Sequence, residues 1–62
     1  MDIKEALDIA IQEELKAVAR YRQMAGEAED AETRLLLEQL AREEDMHHRK
    51  LSERLKAIRL MG

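Results

Sequence analysis

The sequence predicts an all-α chain: an antiparallel two-helix hairpin that dimerises into a four-helix bundle. Three observations lead there. Proline is absent, glycine occurs only at positions 26 and 62, and 40% of the 62 residues are charged. That composition, dominated by Ala, Leu, Glu, Lys and Arg, is the one long helices have. Apolar residues recur at alternating steps of three and four on both sides of one short polar break. Finally, a chain this short buries too little surface for a secure core and needs a disulfide, a metal or a second chain. Cysteine is absent, which removes disulfides and thiolate metal sites.

Asp2 followed by Glu5 is a capping pair, so the first helix is expected over about residues 3–25. Gly26 is its expected stop, because a helix often ends on a left-handed residue that glycine adopts cheaply. Residues 26–30, GEAED, form the turn. Asp30 caps a second helix, with Glu32 in its first turn, and that helix is expected over about residues 31–61. So short a link folds the two helices back on each other, within a single domain spanning 1–62.

The inward stripe of the first helix reads Ile3, Leu7, Ala10, Glu14, Ala17, Tyr21, Met24, widened by Ile11, Leu15 and Val18. In the second helix it reads Thr33, Leu37, Leu40, Glu44, His47, Leu51, Leu55, Ile58, widened by Leu36. Both stripes are apolar except in the middle. Glu14 and Glu44 each lie roughly 20 Å from the turn at about 1.5 Å per residue, so they share one level of the hairpin. Glu44 and His47 are one turn apart on one face.

A lone Glu in such a stripe is usually a register device or a carboxylate reaching for water. A lone Glu-x-x-His arises often in a charged helix. Three ionisable groups converging at one level are different, because burying them unpartnered costs several kcal/mol each, and a small chain has little stability to lose. A bound cation offsets that cost, so Glu14, Glu44 and His47 are expected to ligate metal. Two carboxylates and one imidazole are half of the set found in di-iron carboxylate bundles, where two helices give a Glu each and two give a Glu-x-x-His. A two-fold axis supplies the other half.

Other functions are disfavoured. Net charge is −3, and the basic stretch at residues 49–62 (Arg49, Lys50, Arg54, Lys56, Arg59) has no aromatic residues interleaved for base stacking. It is expected to complement the helix dipole, with no nucleic-acid partner. No apolar run approaches the ~20 residues of a membrane span, so a cytoplasmic protein is expected. His48, about 100° round the helix from His47, is expected at the surface. Glu13 and Asp45 flank the stripe as solvated charges.

EELKAVARY (13–21) and REEDMHH (42–48) resemble the two ligand helices of the ferritin-like superfamily. The closer likeness, over most of residues 10–58, is to the encapsulated ferritins, rubrerythrin-like two-helix di-iron proteins that build their bundle by dimerising. The resemblance implies a ferroxidase that oxidises iron(II) to iron(III) for storage. It implies Glu14, Glu44 and His47 as metal ligands and catalytic residues between subunits, with Tyr21 just behind them. It further implies two iron ions per dimer (manganese or zinc accept the same ligands), a homodimer or higher homo-oligomer, and an encapsulin shell as partner and location. Members usually carry a C-terminal extension that docks to the shell, whereas this sequence reads LKAIRLMG there. Two other readings share the sequence: a rubrerythrin-like peroxidase using the same residues, and a structural dimerisation hairpin without metal.

Overall fold

Helix α1 runs from Ile3 to Glu27 and helix α2 from Ala31 to Leu60, in a computed structural model that describes residues 1–62. The first helix starts where its cap dictates: the Asp2 carboxylate accepts a hydrogen bond from the Glu5 amide at 2.9 Å, satisfying an amide with no partner inside the helix. Asp30 does the same for α2, accepting from the Thr33 amide at 2.8 Å. That hydrogen bond holds the Asp30 carboxyl below its ordinary range. Glu32 in the first turn of α2 and Arg59 in the last complement its dipole.

The turn departs from expectation. Gly26 lies inside α1, and the only residue with left-handed backbone is Gly62. The helix runs on through Glu27 and stops at Ala28, which is extended (φ −67°, ψ 129°) and whose amide donates to Met24 and Ala25 carbonyls. Asp30 is extended as well (φ −99°, ψ 149°). The reversal is thus made by two extended residues that any side chain tolerates, and no glycine is required for it.

The two helices form one layer. The molecule measures 49 × 17 × 11 Å, and its smallest dimension is a single helix diameter. Each helix therefore has one neighbour, and only six residues are buried: Ile11, Ala17, Val18, Ala25, Ala41 and Leu55.

This contact line corrects the stripe read for α2. Ala41, which the periodicity left out, is 1% exposed. His48, expected at the surface, is partly buried (25% side-chain exposure). Thr33 and His47, read as inward, are exposed. The line facing α1 is Leu37, Ala41, Glu44, His48, Ser52 and Leu55, all buried or half-buried. Leu36, Leu40, His47 and Ile58 sit together on the adjoining flank, each within about 20° of His47 around the helix axis. The apolar arc of α2 is wide enough for two neighbours. Its midpoint, which periodicity finds, lies between the face that packs and the face left open.

Gly26→Ala tests the turn. A Cβ at this position meets nothing within 4 Å and the backbone is helical, so the change should stabilise the fold by about 0.5–1 kcal/mol in denaturant unfolding. A left-handed Gly26 would give the opposite sign.

Candidate metal centre

Glu14 on α1 and Glu44 and His47 on α2 come together midway along the hairpin. One ligand atom from each lies within 4.8 Å of the others. His47 Nδ1 stands 3.4 Å from Glu14 Oε2 and 3.3 Å from Glu44 Oε1. The helical period explains the pairing, because residues three apart on α2 are neighbours on its surface. Antiparallel folding with so short a turn then brings Glu14 to the same level.

The three groups differ in exposure. The Glu14 and Glu44 side chains are 23% and 24% exposed, while His47 is 53% exposed. The carboxylates occupy the groove between the helices and the imidazole rides on the open flank above them. Burial raises the Glu14 carboxyl pKa, and the neighbouring Glu44 carboxyl raises it further, with His47 pulling the other way. Glu14 Oε2 is itself buried without a hydrogen-bond partner, an arrangement that costs free energy unless something is bound there.

A divalent cation fits this donor set. Two oxygens and a nitrogen are hard-to-borderline donors that suit iron, manganese or zinc. Donors bound about 2.1–2.2 Å from one ion stand at most about 4.4 Å apart. The donor atoms all lie within 4.8 Å of one another, so at most a few tenths of an ångström of side-chain adjustment separates them from ligation, and the orphaned Glu14 oxygen is a ready acceptor of the charge.

The other singled-out residues are not part of this cluster of donor atoms. Tyr21 is half-buried on α1, two turns beyond Glu14 on the same flank. Glu13 pairs with Lys16 at 3.5 Å in solvent. Asp45 is held by Arg49 at 3.0 Å and lies 3.7 Å from His48 Nδ1. Like Glu14 Oε2, the His48 nitrogen is buried without a hydrogen bond. Sequence reasoning missed the packing role of Ala41. A small residue between Leu37 and Glu44, at helical spacing from both, was the signal for close helix approach.

Glu14 makes the metal-free protein sensitive to pH. Its raised folded-state pKa means that the folded chain binds this proton more tightly than the unfolded chain. The resulting stability is fully present below the ordinary value of 4.5 and is lost as pH rises through the raised value. Glu14→Gln imitates the protonated form and does not titrate. With chelator present, its melting temperature should pull ahead of wild type as pH climbs from mild acid to neutral. A difference that stays constant with pH would count against a desolvated Glu14.

Residues 5–61 match the family model described as Rubrerythrin. No curated protein and no solved structure matches the chain. The match spans nearly all of both helices and includes Glu14, Glu44 and His47, so the chain belongs to the rubrerythrin family of ferritin-like, iron-binding proteins.

Proposed function

We propose that this chain is a ferroxidase whose di-iron site is completed across a homodimer interface. The observation that carries this reading is the convergence of Glu14, Glu44 and His47 from two helices at one level. The three donors lie along a face that the hairpin does not cover by itself. On the same face, about 16 Å along the axis to either side, lie Leu36 and Ile3, 56% and 62% exposed, each within about 20° of His47 or Glu14 about its own helix axis. An apolar face of this kind on a layer one helix thick calls for a second layer. A two-fold copy supplies it, and doubling the three donors gives four carboxylates and two imidazoles.

In this reading iron(II) is the substrate. Carboxylates from both chains would hold two ions close together and compensate the higher charge of iron(III). Two iron(II) ions each give one electron, and dioxygen takes those two electrons and two protons and leaves as hydrogen peroxide. Tyr21 would stand behind the ligands as a hydrogen-bond donor or electron source, since helical side chains lean toward the N-terminus and so toward Glu14. Storage of the product inside an encapsulin shell belongs to the same proposal and rests on the likeness in sequence.

The family match also favours a second reading, in which the same residues reduce hydrogen peroxide. Stopped-flow oxidation of the iron(II)-loaded protein by dioxygen and by peroxide decides between them. A ferroxidase reacts with dioxygen at least as fast.

Two outcomes are expected. Glu14→Ala, Glu44→Ala and His47→Ala should each slow iron(II) oxidation by more than about tenfold, the loss already seen when residues merely supporting a ligand are changed. His48→Ala should retain it, and loss confined to His48→Ala would mean that the ligand set has been misassigned by one residue on α2. In sedimentation at micromolar concentration the protein should be no smaller than a dimer. A well-folded 7.2 kDa monomer would leave the site half built.

A further inference from the structure

The face that carries Glu14, Glu44 and His47 has a charged rim on α2. Glu43 and Lys50 lie about 40° and 60° round the axis from His47, both on the side away from α1. Glu43 is half-buried and accepts a hydrogen bond from Gln39 Nε2 at 3.4 Å, while Lys50 is exposed. Neither takes part in any of the ion pairs of the chain. They are about 10 Å apart along the axis, with Glu44 and His47 between them. The hairpin is also charged unevenly along its length. Residues 20–38, the turn and the helix on either side of it, hold five carboxylates against three arginines. The other end, residues 1–8 and 49–62, holds six Lys and Arg side chains against four carboxylates. Within the hairpin this unevenness is already used between antiparallel helices, where Arg59 reaches across to Asp8 at 3.5 Å.

We propose that the second copy lies antiparallel on this face, α2 against α2, with Lys50 of each copy paired to Glu43 of the other on either side of the metal centre. This rests on the dimer proposed above and adds its direction and its rim contacts. Two half-turns lay one hairpin over another with the helices aligned. A half-turn about an axis parallel to the helices puts turn on turn, and so stacks like net charge on like at both ends. A half-turn about an axis across the helices puts each acidic turn over the basic end of the other copy and lays each helix along its own counterpart. With that axis midway between Glu44 and His47, Glu43 of one copy comes within about 3 Å, along the axis, of Lys50 of the other. Two long side chains on the same rim span that offset. The contact is isologous, so the pair forms twice. Rim charges of this kind select the orientation of a partner more than they add affinity.

The test has two arms, both on the full chain loaded with zinc, which is diamagnetic. The chain has no cysteine, and a side chain at Gly26 meets nothing within 4 Å, so a spin label on Gly26→Cys marks the turn alone. In the antiparallel dimer the two labels stand roughly 35–40 Å apart, at 1.5 Å per residue on each side of the centre. Pulsed electron–electron double resonance should give that distance. One under about 25 Å, as turn on turn requires, would overturn the proposal and leave the dimer standing. A chain that sediments as a monomer would remove the dimer itself. In the second arm, Glu43→Lys and Lys50→Glu should each weaken the dimer at least tenfold in sedimentation equilibrium, with helical circular dichroism unchanged. The double swap, which restores opposite charges across the interface, should recover most of that loss. A double swap no tighter than either single change would overturn the pairing.

Discussion

A layer one helix thick cannot cover its own faces, and everything else in this molecule follows from that constraint. Two helices side by side bury six residues of 62, and the rest of their wide apolar arcs remains open. The 11 Å thickness leaves no interior in which an ionisable group could be enclosed on all sides. Glu14 and Glu44 are accordingly only partly withdrawn from water, and His47 more than half exposed. Such a layer holds donors in place from one side and presents them to whatever lies on the other. In the dimer we propose, that is a second set of the same donors.

Local chemistry was the most legible part of the fold. Asp2 and Asp30 were read as caps from their place before helical runs, and both accept the expected amide hydrogen bonds. The break between helices was legible too, but its mechanism was not. Gly26 invites a left-handed cap by residue type alone, whereas the backbone turns two residues later at Ala28. The helix signal in GEAED competes with the glycine, because Glu27 and Ala28 impose no barrier to another half-turn. Propensity says that a glycine permits a stop; it does not say that the chain uses it.

The convergence of Glu14, Glu44 and His47 was legible because it depends on axial distance from the turn and on three-residue spacing. Both are insensitive to a small error in helical phase. Which flank packs against which is sensitive to it. A periodicity of three and four finds the middle of an apolar arc, and in α2 that middle falls between Ala41, which touches α1, and Leu40, on the flank beside it. The same offset explains why His48, read as a surface residue, sits partly in the contact line while His47 stands proud of it. Tertiary neighbours divide an arc in ways that its own residues do not record.

The divided arc also separates tasks that a small chain would otherwise have to combine. The buried part of the contact, Ile11, Ala17, Val18, Ala25, Ala41 and Leu55, is entirely apolar. The ionisable groups sit at mid-height along the edge of that contact, Glu44 within it and His47 on the adjoining flank, with apolar residues above and below. A cost arises there, since Glu14 is desolvated and stands beside a second carboxyl. A chain with so small a core has only a few kcal/mol of net stability to set against such a cost. Placing the carboxylates at the edge of the contact, where their side chains stay 23% and 24% exposed, limits that cost while the hairpin holds nothing. In the dimer we propose, a cation and a second layer would together recover that free energy. Fully enclosing the same groups within one hairpin would make the fold depend on the ion from the start. Moving them to the outer surface would relieve the strain and remove the reason to bind.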